Sequence, residues 1–210
     1  MHARAVWLTT LLVVGGSVRA GDIEASATTL AGQPLTDAAV ILEPVAGGTH
    51  GTLPTVTIAQ RDRELIPYVT VVQAGTAIEF PNLDSFKHHL YSFSPAKTFE
   101  IKLYAGKPEK PIVFDKPGEV ALGCNIHDWM EAYVLVVDTP YFAKTDAHGQ
   151  ARITNVAPGS YRLKWWHPRQ KRALPARAVE VGPETLRLSQ ALDMTARLVK
   201  PKPPADGDSY

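Results

Sequence analysis

Three residue types that bind soft or borderline metals fall within seven positions of the segment Gly123-Cys124-Asn125-Ile126-His127-Asp128-Trp129-Met130, in a Cys-x-x-His-x-x-Met spacing. Apolar residues flank it, Val120 to Leu122 before and Ala132 to Val137 after, so the pattern predicts a chain reversal between two strands. A reversing loop can aim all three side chains at one point. A thiolate, imidazoles and a thioether suit copper, which takes two His and one Cys in a trigonal set with a long, weak axial Met. Zinc is the rival ion: it accepts Cys and His, but methionine is not among its usual ligands. The loop lacks a second imidazole, which must come from elsewhere in the chain.

Two adjacent histidines, His88 and His89, open a predicted strand upstream, in FPNLDSFKHHLYSF. Neighbouring side chains on a strand point to opposite faces, so only one of the two can readily enter the site. Strand parity alone leaves the choice open.

Cys124 is the sole cysteine. Exported domains usually carry cysteines in pairs for disulfides, so a lone one is an inert buried thiol, an intermolecular partner, a nucleophile or a metal ligand. A nucleophilic Cys124–His127 pair would need a third orienting residue and oxyanion donors, and no such signature accompanies it. Trp129 either covers the site from water or offers a docking surface to a partner. Asp128 and Glu131 read as solvated loop charges.

The elements that must position these residues read as strands throughout. Seventeen prolines, fifteen glycines and many short apolar runs separated by turns favour strands, and no long segment from Gly21 onward repeats at helical spacing. An all-β fold is the expectation. Two short strands lie between Asp22 and Pro44, and about seven follow between Leu53 and Val137, enough for a sandwich. A further set runs from Asp138 to Leu198, with hairpin turns at Asp146-Ala147-His148-Gly149 and Ala157-Pro158-Gly159. The proline-rich end, 199–210, is expected to be a disordered tail.

Residues 1–20 combine a basic start, an apolar run from Ala5 to Val14 and small residues before a cut after Ala20, the layout of a secretory signal peptide. The alternative is retention as a membrane anchor, although the run is shorter than a span needs. Either way the globular part is expected on the exported side, in the periplasm. Losing Arg4 and Arg19 with the leader takes the formal charge from +1 to −1. So balanced a chain gives no electrostatic case for nucleic acid.

The segment Asn82 to His88, followed by Cys-x-x-His-x-x-Met, resembles the cupredoxins, the plastocyanin- and amicyanin-like blue copper proteins. In that family the first copper His follows an Asn by six residues, which selects His88 over His89. The resemblance implies one type-1 copper ion held by His88, Cys124, His127 and Met130. It further implies Asn82 tying the ligand loops together, and His127 as a partly exposed ligand through which electrons pass. Position 89, commonly Asn in the family, is His here. HHLYSFSPAKTFEI and LGCNIHDWM also look like exported proteins labelled methylamine utilisation or plastocyanin-like. The resemblance covers about residues 54 to 138 and implies a Greek-key β-sandwich.

A second resemblance rests on Thr145-Asp146-x-x-Gly149-x-Ala151-x-Ile153 and Pro158-Gly159-x-Tyr161-x-Leu163. These are similar to the Ig-like carboxypeptidase-regulatory-like or transthyretin-like sandwich. That family's opening strand pair stands far upstream here, at Gly32 to Leu42, so the expected arrangement is an insertion. The cupredoxin, 51–137, would interrupt a sandwich formed by 22–50 and 138–198; simple tandem order is the alternative. His148 and His167 are expected to be solvated, and Trp165 and Trp166 to split between core and surface.

The function these readings imply is a non-enzymatic one-electron carrier in the periplasm, with a redox protein such as a cytochrome or dehydrogenase as partner. The alternative is a copper storage, delivery or sensing module.

Overall fold

A computed structural model describes residues 19–47 and 53–196. Residues 1–18, where a signal peptide is expected, 48–52 of the glycine-rich connector, and 197–210, where a disordered tail is expected, lie outside the described residues. Among the described residues every regular element is a strand, and the fold they form is all-β.

Four sheets and a small hairpin build the molecule. The outer sheets join the two ends of the described chain. In one, β1 (Gly21–Thr29) lies between β14 (Gln150–Val156), antiparallel to it, and β17 (Leu186–Leu192), parallel to it. In the other, β2 (Ala39–Pro44) lies between β13 (Phe142–Lys144) and β15 (Gly159–Trp166), with β16 (Arg177–Val181) on the far side of β15. The inner sheets use only the middle of the chain. One orders β10 (Ile112–Phe114), β7 (Thr76–Glu79) and β3 (Val56–Thr57). The other orders β6 (Val69–Gln73), β12 (Glu131–Val137), β11 (Gly118–Gly123), β8 (His88–Ser94) and β9 (Lys97–Tyr104). The hairpin pairs β4 (Ala59–Arg61) with β5 (Glu64–Ile66).

Each pair of sheets closes on its own apolar core. Alternation on β1 sends Ile23, Ala25 and Ala27 inward, where they meet Leu42, Leu163 and Trp165. Between the inner sheets Ile78, Phe80, Leu90, Phe114, Val120 and Val134 pack together. Burying each such large side chain stabilises the fold by about 1.5–3 kcal/mol before entropy is counted.

β2 and β12 depart from alternation for a common reason. On β2, Val40 and Leu42 face the outer core while Ala39 and Ile41 face the opposite way; on β12, Val134 and Val136 face the inner core while Leu135 and Val137 face out. Ala39, Ile41, Leu135 and Val137 then meet in a third cluster with Phe142 and Trp166 against it. The two halves of the molecule pack back to back there, so both strands are apolar on both faces. Trp165 and Trp166 do fall on opposite faces, but Trp166 packs into this seam.

His167 is a correction. It is 3% exposed, not solvated, and its Nδ1 accepts the Arg169 amide at 3.0 Å. Burial first, then the charge of Arg169, pushes its imidazole down to about 4.

Candidate metal centre

The ligand loop hangs between antiparallel neighbours β11 and β12, whose register pairs Gly123 with Glu131 and leaves residues 124–130 as the reversal. Two backbone bonds close it: the Cys124 amide donates to the Met130 carbonyl at 3.3 Å, and the Met130 amide to the His127 carbonyl at 2.9 Å. Pairing of Gly123 with Tyr91 sets β8 beside β11, so the start of β8 comes alongside Cys124. The fit there is close: a Cβ at Gly123 would stand 2.9 Å from the tip of the Tyr91 ring, so any side chain would require that ring to shift.

His88, Cys124 and His127 converge. His88 Nδ1 lies 3.1 Å from His127 Nδ1, and the Cys124 Sγ lies 3.9 Å from the first and 3.8 Å from the second. Their exposures are 0%, 4% and 3%. Met130, 2% exposed, is buried in the same inner core cluster as Cys124. His89 turns to the other face of β8, where its Nε2 approaches Glu100 Oε1 at 3.0 Å and its ring faces Tyr91 at 6.0 Å.

These donors fit a transition-metal ion. A circle through atoms at the three spacings has a radius of about 2.1 Å, a metal–imidazole bond length and close to a metal–thiolate one. The tautomer also fits. His88 Nε2 lies 2.7 Å from Asp84 Oδ2, and a carboxylate only accepts, so Nε2 carries the proton and Nδ1 presents a lone pair to the centre. Three electron-rich atoms facing one another in a dry pocket call for a cation among them.

The surrounding electrostatics favour the thiolate of Cys124 and the charged form of His88. Burial raises the Cys124 thiol, but hydrogen bonding with His88 and from the amides of Ile126, His89 and His127 outweighs it and holds the thiol below its ordinary range. Burial likewise opposes a charged His88, yet Cys124 and Asp84 together leave it raised. Burial and the nearby Cys124 sulfur push the Tyr104 phenol upward, and its hydroxyl donates to the Phe80 carbonyl at 2.9 Å.

Around these donors the structure departs from expectation at His127 and Glu131 and adds a role for Asp84, while Trp129 takes the covering position and Asn82 a bracing one. His127 is not a partly exposed ligand: the rings of Trp129 at 5.1 Å and Phe86 at 5.9 Å cover it. Trp129 is itself held, donating its indole N–H to the Arg63 carbonyl at 3.1 Å. Asn82 donates to the carbonyls of Phe86 at 2.8 Å and Tyr104 at 2.9 Å, bracing the 82–88 loop against β9. Glu131 is half-buried and accepts from the Tyr68 hydroxyl at 3.4 Å, while Asp128 is exposed. Asp84, given no role by sequence reasoning, is the contact closest to a donor ring; its signal was an acid four residues before His88.

No protein-family profile and no curated protein sequence matches the chain. Among solved structures, the chain is similar to the Cu-containing nitrite reductase from Thermus scotoductus, at 27% identity and a TM-score of 0.38 over 45% of this chain. It spans 25% of that enzyme's length. It is also similar to a purple cupredoxin from Nitrosopumilus maritimus, at 20% identity and a TM-score of 0.35, covering 39% of this chain and 99% of that one. Amicyanin from Paracoccus versutus is matched at 13% identity and a TM-score of 0.35, over 49% of this chain and 100% of that one.

Proposed function

We propose that the chain would hold one copper ion through His88, Cys124 and His127, with Met130 as a weak fourth ligand, and that it passes single electrons to and from a redox protein in the periplasm. The observation that carries this reading is the convergence of two imidazole nitrogens and one thiol sulfur, spaced for a single ion, in a pocket almost closed to water. Methionine in the same core favours copper over zinc. Copper supplies the one-electron couple; the protein supplies a fixed donor set. Strands β8, β11 and β12 anchor the donors, the loop bonds hold the spacing of residues 124–130, and Asp84 fixes the His88 tautomer, so little need rearrange when the charge changes.

Four buried side chains leave no place for a substrate, which supports a carrier rather than an enzyme. The leader-like residues 1–20 support export. A cytochrome or a dehydrogenase is the partner chemistry this implies. We further assign 51–137 as a cupredoxin inserted in an Ig-like sandwich formed by 22–50 and 138–198; the pairing of β1 with β14 and β17, and of β2 with β13 and β15, supports it.

The test is the visible spectrum of the purified protein with copper(II). An intense thiolate-to-copper band is expected, lost in Cys124→Ser and in His88→Ala and merely perturbed in His89→Ala. A colourless protein that retains zinc would overturn the copper assignment. Copper readily stripped by a chelator, with no reversible couple, would replace the carrier by storage or delivery.

A further inference from the structure

The hairpin of β4 and β5 belongs to neither pair of sheets, yet it is fastened to the metal centre at both ends of the donor set. Its turn is Asp62-Arg63, two residues between the paired Arg61 and Glu64, both left-handed at φ 53° and 58°. Turns of this shape usually recruit Asn and Gly, so a non-glycine pair needs outside support. Asp84 supplies it. One carboxylate oxygen accepts the Asp62 amide at 2.6 Å; the other accepts the Arg63 amide at 3.0 Å and also lies 2.7 Å from His88 Nε2. The Asp84 amide donates in turn to Asn82 Oδ1 at 3.0 Å. Along its length the hairpin is zipped to the segment before Asp84, with the Gln60 amide on the Pro81 carbonyl and the Leu83 amide on the Gln60 carbonyl, each at 2.8 Å.

The same turn reaches the other imidazole. The Arg63 carbonyl holds the Trp129 indole, and Trp129 lies over His127. A single carboxylate therefore touches one donor ring directly and restrains the cover of the other through one turn.

We propose that Asp84 is the positioning residue of this centre: it fixes the His88 ring in the tautomer that presents Nδ1, and it latches the 61–64 turn that keeps Trp129 over His127. The inference rests on the copper reading for its metal-dependent half. Carboxylate-backed imidazoles are a known means of orienting ligands, and their loss typically weakens metal binding 10- to 100-fold. What this chain adds is the second duty of the same group. Removing its negative charge disfavours copper(II) more than copper(I), so the couple should shift toward reduction.

The experiment compares wild type with Asp84→Asn, which keeps the shape and one acceptor but loses the charge, and with Asp84→Ala. In the metal-free protein, at a pH where the His88 ring is neutral, nitrogen-15 NMR should show His88 as the Nε2–H tautomer in wild type and a mixture in both variants. Hydrogen exchange should speed about tenfold at the Asp62 and Arg63 amides and also at the Trp129 indole, which Asp84 does not touch. In the copper-loaded protein, Asp84→Asn should bind copper(II) about tenfold more weakly relative to copper(I), a rise of about 59 mV in the potential. Unchanged tautomer and unchanged indole exchange would overturn the proposal even if copper binds as expected. Absence of copper binding with the metal-free signatures intact would overturn the function reading and leave the latch standing.

Discussion

In the outer half the buried Thr139, Thr145 and His167 each answer a backbone group, whereas in the inner sheets three buried polar side chains turn to face one another. Thr145 donates to the Leu35 carbonyl at 2.6 Å and accepts the Ala38 amide at 2.9 Å, and Thr139 donates to the Leu42 carbonyl at 2.8 Å. Such groups are satisfied where they stand and serve the fold alone. His88, Cys124 and His127 direct their donor atoms at a common point, which no backbone group could satisfy as well as a cation. The contrast separates polar burial that stabilises a chain from polar burial that waits for a partner.

The comparison can be broken at its cores. Leu42→Ala in the outer core and Leu90→Ala in the inner core, both at 0% exposure, should each cost about 2–5 kcal/mol in urea unfolding. Copper affinity separates them: Leu42→Ala should leave it within about threefold, while Leu90→Ala, two residues beyond His88 on β8, should weaken it by tenfold or more. Equal effects of the two on copper binding would erase the distinction.

A second prediction turns on the buried imidazole of the outer sheets. His167 stays neutral in the fold at a pKa of about 4 and titrates near 6.5 when unfolded. The unfolded chain therefore takes up a proton first as pH falls, so its contribution is complete above pH 6.5 and is lost progressively toward pH 4. Up to about 3 kcal/mol is at stake. Urea midpoints measured between pH 7 and pH 4 should fall more steeply in wild type than in His167→Asn; parallel curves would refute the assignment.

The smallest effect concerns the junction of the two regions. Lys144 on β13 donates to the Val69 carbonyl on β6 at 2.8 Å and pairs with Asp37 at 2.7 Å. Lys144→Met, keeping the aliphatic stem, should cost about 1 kcal/mol in thermal or urea unfolding and leave the copper spectrum as it was. A spectral change would mean that the junction communicates with the centre.

Much of this was legible in the residues. Alternation and turn chemistry give the long strands, and the unbroken apolar runs of β2 and β12 mark the strands covered on both faces. Short elements were not legible. Thr55 to Gln60 reads as one strand but divides into β3 and β4, and β5 escapes notice because its turn is Asp62-Arg63 with no glycine to announce it. β10 is hidden among prolines and β13 is three residues long, so both are held by neighbours more than by propensity. At the centre, the spacing of Cys124, His127 and Met130 shows the loop donors, and counting from Asn82 selects His88. The burial of His127 could not be read, because it depends on Trp129 meeting Arg63, 66 residues away. Asp84 lay in the motif itself, but an acid in a turn has many roles, and only the folded positions of the Asp62 and Arg63 amides distinguish this one.

The back-to-back seam bears on how the protein can be handled. β12 carries Leu135 and Val137 into the seam immediately after it leaves the ligand loop, and Val71 on β6 joins them. A recombinant fragment trimmed to the inner sheets, which carry the candidate metal centre, would present this oily stripe to solvent, on the very strand that follows Met130. Such a fragment should self-associate unless those three positions are made polar, and the full-length chain is the safer material for electrochemistry.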